Sequence, residues 1–169
     1  MNARWRFAAT SPTSRQPVKS PLCKALLILA LSAATQSAEL TSSGDWVATI
    51  NAANLVSGAG SDLQAQFESV SGVTTLTITN APGAWSLRVR RSGSQWHGNV
   101  TAHVKRTSDG SGSGSISGGN AYAALAATDT ELFSGSGARG NISLQFKLTG
   151  LSKTVSPATY LSSIIFTVQ

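Results

Sequence analysis

The stretch NISLQFKLT, residues 141–149, decides the fold, because its apolar and polar residues alternate without a break. The apolar residues that point to one side are Ile142, Leu144, Phe146 and Leu148. Side chains along a β-strand repeat every two residues, so this pattern predicts a half-buried strand and fits no helix.

A second β-rich run, residues 159–168, ends one residue before the C-terminus. One of its faces contains Tyr160, Ile164, Phe166 and Val168. Leu161 and Ile165 lie on the other face, which predicts that this strand is covered on both sides. We expect the centre of the core to consist of Ile142, Leu144, Phe146, Tyr160, Ile164 and Phe166.

The remaining strands are short and are separated by glycine-rich stretches. Alternation predicts strands over residues 46–50, 63–69, 73–79, 85–91, 99–106 and 121–126. Loops are predicted over 51–62, 109–120 and 134–140. A helical turn is an alternative for 63–69 and for 123–132. About seven or eight strands without a convincing amphipathic helix favour an all-β, antiparallel β-sandwich, with an up-and-down barrel as the alternative.

The N-terminal segment has the pattern of a secretory signal peptide. Five Lys and Arg residues precede the apolar run 25–34, and small residues follow it. A run of ten residues is too short to cross a bilayer, which takes about 20 apolar residues. We therefore predict a signal peptide over residues 1–38 and a single domain over 39–169, although a short anchor or a buried helix also fits. The protein is expected to be exported to the periplasm, cell surface or extracellular space, without a transmembrane span.

The net charge and the cysteine content of the mature chain depend on the removal of the predicted signal peptide. Its removal takes five of the thirteen Lys and Arg and none of the seven acids, which leaves eight positive and seven negative groups, a net charge of +1. The high isoelectric point is therefore no sign of nucleic-acid binding. Cys23 is the only cysteine, so residues 39–169 contain neither a disulfide nor a reactive thiol. A chain of that length can form a core without such cross-links.

One cluster of residues suggests a ligand. We expect the strands 85–91 and 99–106 to pair as an antiparallel hairpin. The candidate ligand-binding residues on its outward face and in its loop are Arg88, Arg90, Trp96, His103 and Lys105, with Arg91 and Arg106 at the ends of the face. Such a face can bind an anionic polysaccharide through charge-assisted hydrogen bonds, with Trp96 as a stacking platform. It is equally the pattern of a solvated sheet face that discourages aggregation. Trp46 and Trp85 alternate in phase with apolar residues and are assigned to the core.

No catalytic motif is present. The chain has no G-x-S-x-G sequence, phosphate loop or dinucleotide fingerprint. His97 and His103 lack the spacing of a metal site, and the acids are scattered near turns. We predict no catalytic residue, no metal, no cofactor and no enzyme activity. A hydrolase with an unrecognised site is the least favoured alternative.

The C-terminal third resembles a known class of protein. The glycine-rich loop SGSGARGN, the strand ISLQFKL and the terminal strand TYLSSIIFTVQ resemble the secreted β-sandwich subunits of bacterial surfaces, of the fimbrial and spore-coat-U type. The resemblance implies a structural or adhesive subunit that pairs strands with other copies or with other surface subunits. Residues 39–44 are short for a strand donated to a neighbour, unless 45–50 is the donated one. A monomeric module for anionic glycans is the alternative function.

The leader gives a first testable prediction. Protein recovered from the medium or periplasm should begin after residue 34 or 38, where small residues follow the apolar run. N-terminal sequencing or intact-mass measurement of the exported protein checks this. An N-terminus before Leu31 would contradict the signal peptide.

Overall fold

The computed structural model describes residues 3–10 and 37–169, which form thirteen strands and one 3-10 turn (Ala52–Asn54). In chain order the strands are β1 (Ala3–Thr10), β2 (Glu39–Ser43), β3 (Trp46–Ile50), β4 (Gln66–Glu68), β5 (Thr74–Thr79), β6 (Ala84–Ser92), β7 (Thr101–Arg106), β8 (Ser111–Gly112), β9 (Ile116–Gly118), β10 (Ala123–Ala124), β11 (Thr130–Ser136), β12 (Arg139–Thr149) and β13 (Thr159–Val168). The apolar run 25–34 lies outside the described residues. No helix among the described residues is long and apolar enough to cross a membrane.

Two sheets pack face to face, so the prediction of an all-β sandwich is confirmed. Sheet A has the strand order β3-β1-β13-β6-β11-β9, and sheet B has the order β10-β7-β12-β5-β2, with β4 and β8 also paired to β12. The described strands outnumber the predicted ones because several pairs of residues in glycine-rich stretches join the sheets. Among the pairings of the described strands, β1 with β13 is parallel and the others are antiparallel.

The predicted core is confirmed. The four apolar residues of β12 and Phe166 of β13 are each at most 1% exposed, and Tyr160 and Ile164 are also buried. Trp46 and Trp85 are buried, as their phase predicts. The expected cover on the second face of β13 is wrong, because Leu161 there is 41% exposed. That face is the outer surface of sheet A, where no layer packs on this residue in the described part of the chain.

The predicted hairpin is wrong. β6 pairs with β13 and β11 in sheet A, whereas β7 pairs with β12 and β10 in sheet B. The inward residues were assigned correctly: Leu87 and Val89 of β6 and Val100 and Val104, on or just before β7, are all buried. Alternation is the same whether two successive strands pair or face each other across the core. The connection between them is long enough to cross the roughly 10 Å that separates packed sheets.

The glycine and serine stretches predicted to be loops are ordered parts of the sheets. The tract 109–120 contributes β8 to sheet B and β9 to sheet A. A Cβ on Gly112 (φ 134°) would collide with the carbonyl of Ala138, and one on Gly114 (φ 89°) with that of Ser136. Glycine is present here because the backbones approach closely, rather than to give flexibility. Residues 134–140 likewise belong mostly to β11 and β12, and 123–132 form no helix.

Phe146 gives a prediction for the core. Phe146→Ala should lower the free energy of unfolding by about 3–5 kcal/mol, because it empties a fully buried aromatic site. Ser163→Ala, on the outward face of β13, is the control and should change it by less than about 0.5 kcal/mol. Denaturant unfolding of the two variants checks this, and a loss below about 1 kcal/mol for Phe146→Ala would mean that the strand faces are misassigned.

A second pair of substitutions tests the ordered glycine tract. Gly112→Ala should cost about 1–3 kcal/mol, because its backbone conformation and the nearby carbonyl exclude a side chain. Gly98→Ala is the matched control, since a Cβ there meets nothing within 4 Å. Equal melting temperatures for the two variants would show that the tract is not held in the sheets.

Candidate functional site

The structure separates the five candidate ligand residues. Arg88 and Arg90 lie on β6 and face outward from sheet A, whereas His103 and Lys105 lie on β7 and face outward from sheet B. These are the two opposite outer surfaces of the sandwich. The prediction of one basic face is therefore wrong, because the hairpin that would have joined the two pairs does not form.

The arginines of sheet A have acidic neighbours. The Arg88 guanidinium donates a hydrogen bond to the Asp129 carbonyl at 3.1 Å, and Arg90 forms an ion pair with the Asp129 carboxylate at 3.4 Å. Glu131 lies directly across from Arg88 on β11. The positive charge of β6 is thus largely balanced where it is exposed.

Two lysine side chains of sheet B lie against the ring of Tyr122. The ammonium groups of Lys105 and Lys147 lie 4.4 and 4.1 Å from the centre of the Tyr122 ring. Burial, together with the nearby Glu68 carboxylate, raises the pKa of Tyr122 to about 12. Because both ammonium groups lie against its ring, Tyr122 offers no open face for stacking on a ligand.

The surroundings of His103 favour its neutral form. Its ring nitrogen Nε2 is 3.0 Å from the Thr149 hydroxyl. Burial lowers the pKa of His103 from its ordinary value, and the positive charge of Lys147 lowers it further.

Trp96 is a structural residue rather than an exposed platform. It is half-buried, and its indole N–H donates a hydrogen bond of 2.6 Å to the carbonyl of Val100. The guanidinium of Arg91 lies 4.8 Å from its ring centre. Trp96 therefore fixes the connection between β6 and β7.

Arg106, predicted to lie at one end of the basic face, is buried instead. It is 5% exposed, donates from Nε to the Gly118 carbonyl at 2.9 Å and pairs with the Asp109 carboxylate. Its guanidinium also lies 5.8 Å from the centre of the Phe133 ring. Burial lowers the pKa of Arg106. The side chain anchors the glycine tract to the body of the domain.

Sheet A contains an interior strand, β1, that comes from the N-terminal segment. The strand β1 lies between β3 and β13, antiparallel to β3 and parallel to β13. Neighbouring strands are about 4.8 Å apart, so β3 and β13 are separated by about 10 Å and meet only through β1. We call this space the slot. It is filled by a strand from the segment predicted to be a cleaved leader.

The floor of the slot is aromatic. Phe7 of β1 is 2% exposed and stacks on Trp46 of β3, with ring centres 5.3 Å apart and planes 10° apart. It also stacks on Phe146 of β12 at 5.7 Å and 6°, and contacts Trp96 at 5.6 Å in a tilted arrangement. One ring of β1 thus touches both sheets and the β6–β7 connection.

The outer side and one end of the slot are also defined. Arg6 faces solvent between its cross-strand partners Val47 and Leu161, both of which are partly exposed. A cavity of about 260 Å³ with a mainly apolar lining lies near the first residue of β1, since Ile50 lines the cavity and pairs with Ala3. Ile50 therefore takes part both in the pairing with β1 and in the wall of this cavity.

The sequence did contain a sign of this strand. ARWRFAAT, residues 3–10, alternates basic and aromatic residues in the same way as the predicted strands. Its arginines also fit the basic flank of a signal peptide, so the two interpretations use the same residues. Removal of residues 1–38 stays a prediction.

The fold and the slot define a class: a β-sandwich in which an N-terminal strand completes one sheet. Among the described residues, no group of three or more His, Cys, Asp or Glu side chains is placed to hold a metal ion. No model of a known protein family matches the chain, and no curated protein matches it in sequence.

Proposed function

We propose that this chain is an exported or cell-surface structural or adhesive subunit, without catalytic activity, that joins other subunits by β-strand pairing. The observation that carries the proposal is the slot in sheet A. Its resident strand β1 comes from residues 1–38, which the sequence predicts to be removed on export.

Removal of β1 would leave β3 without a described strand partner and β13 with one free edge. β1 pairs with β3 over residues 46–50 and with β13 over residues 159–165, while the other edge of β13 stays paired with β6. The N–H and C=O groups that paired with β1 would then be open to pairing with another strand. Two unpaired strand edges also form a template for a strand from another chain.

The apolar residues at the floor of the slot would also favour the binding of a strand from another chain. Without Phe7, the rings of Trp46 and Phe146 would lose a stacking partner and face an open groove. Burial of apolar surface is the main driving force of association, so a strand with an inward apolar face would bind this groove favourably. The resemblance of the C-terminal third to fimbrial and spore-coat-U subunits points to the same kind of assembly.

The mature N-terminal residues are already used inside the molecule. Residues 39–43 form β2 and pair with β5 in sheet B, and 46–50 form β3 in sheet A. Residues 39–43 are therefore not free for donation, whereas β3 would lose its one described strand partner together with β1. The strand that enters the slot would come from another copy of the chain or from another surface subunit.

The glycan-binding alternative has weaker support. It depended on one basic hairpin face, and its arginines and its lysine lie on opposite surfaces with partners of their own.

Strand capture by the exported protein tests the proposal. The full-length gene is expressed with export, and the purified protein is mixed with a labelled peptide of residues 3–10, ARWRFAAT. We expect one peptide per molecule, measured by fluorescence anisotropy and native mass spectrometry, because the peptide restores sheet A.

The control is the same gene expressed without export, so that residues 1–38 stay attached and β1 competes for the slot. This form should take up much less peptide. If the exported protein lacks residues 1–38 and still captures no peptide, strand pairing through the slot is wrong.

A further inference from the structure

We propose that the apolar cavity between the segments 50–63 and 151–157 binds a small amphipathic carboxylate, with the hydrocarbon body of the ligand inside the cavity and its carboxylate beside Lys153. The inference is independent of strand pairing through the slot, because no described residue of β1 or β13 is among those that line the cavity.

The size and the lining of the cavity suit a short hydrocarbon body. Its volume of about 260 Å³ exceeds the roughly 150 Å³ of an apolar protein cavity that stays dry and binds benzene. Scaling from the six carbon atoms of benzene gives room for about ten carbon atoms at most. Ile50, Leu151 and Val155 contribute buried aliphatic side chains to the wall. The cavity therefore fits a single ring or a short chain.

The polar side chains in the wall offer little to water. The Asn51 Oδ1 atom accepts a hydrogen bond of 2.9 Å from the Ala53 N–H, and the Ser61 hydroxyl donates one of 2.7 Å to the Gly58 carbonyl. A buried water needs about two to four polar partners. Because these oxygens are already engaged in their own turns, the cavity favours an apolar occupant over water.

The wall is held in place by hydrogen bonds within and between its two segments. Residues 51–54 form a capped 3-10 turn, and Leu55 pairs with Leu63 in an isolated bridge. The Asp62 Oδ1 atom accepts hydrogen bonds of 2.8 Å from the N–H groups of Leu63 and Lys153, so it joins one segment to the other. A ligand therefore enters a preformed site, which lowers the entropic cost of binding.

Lys153 determines the charge of the ligand. It is exposed, and it is the one charged residue among the described residues that line the cavity. In the part of the chain that the structure describes, no carboxylate lies within 4 Å of its ammonium group, because the ion pairs there involve Arg90 and Arg106. The aliphatic stem of a lysine can lie along an apolar wall while its ammonium group stays in water. A ligand carboxylate at the mouth of the cavity would gain a charge-assisted hydrogen bond from that group.

The experiment uses the full-length chain, made without export so that β1 stays in place, and octanoate as the probe. We expect one octanoate per molecule, with a Kd on the order of 100 μM by isothermal titration calorimetry. Octylammonium has the same chain and the opposite charge, and it should bind at least about tenfold more weakly. Lys153→Gln should weaken octanoate binding about threefold to fivefold and leave the binding of the uncharged octanol unchanged.

A matched pair of substitutions tests the location. Ala52 lines the cavity, whereas Ala53, the next residue of the same turn, does not, and both are exposed. Ala52→Phe should weaken octanoate binding at least about tenfold because its ring occupies the cavity, and Ala53→Phe should bind as the wild type does.

Methyl NMR of the wild type locates the site without relying on these variants. Octanoate should shift the methyl signals of Ile50, Leu151 and Val155 and leave those of Ile142 and Leu144 in place. Absence of octanoate binding at about 1 mM, equal affinity for octylammonium, unchanged binding by Lys153→Gln, or methyl shifts spread over the whole core would overturn the proposal. None of these outcomes bears on peptide capture by the slot, so the proposed function is tested separately.

Discussion

The pairing of β1 with both β3 and β13 is the interaction on which the rest of sheet A depends. The N–H and C=O groups of an interior strand need partners on both sides, and β3 and β13 reach each other only through β1. Sheet B depends on no segment of this kind, since its described strands all come from residues 39–149. The sandwich thus consists of one sheet that the body of the chain completes and one that an N-terminal segment completes.

The aromatic cluster couples this pairing to the core. Phe7, Trp46 and Phe146 come from β1, β3 and β12, so three stacked rings connect the N-terminal strand to both layers. The sequence NISLQFKLT supplies one of the rings and fills the centre of sheet B. Because residues 39–169 contain no cysteine, the fold relies on such packing and on paired backbone groups instead of disulfides. The features that stabilise the domain are therefore the ones that shape the slot.

Alternation predicted which way side chains point, but it did not predict which strands pair. The inward residues of β6, β7, β12 and β13 follow directly from period-two patterns, because burial of one face decides that pattern. Partner choice depends on contacts between distant residues, and a connection such as 93–100 suits a hairpin and a crossing between sheets alike. The glycine tract was misjudged for a related reason: glycine permits both flexibility and close backbone approach, and only the neighbouring carbonyls distinguish them. The slot was missed because basic and aromatic residues near an N-terminus fit a leader and a strand equally well.

The parallel direction of β1 and β13 has a geometric consequence for any assembly built through the slot. A strand that replaces β1 in the same direction offers one surface of its own subunit and meets a different surface of this one. A one-way donation of this kind is heterologous and has no two-fold axis, whereas a reciprocal exchange of the strand between two copies would close as a symmetric dimer. Repeated one-way donation would build a directional row, with an unfilled slot at one end and an unused donor strand at the other.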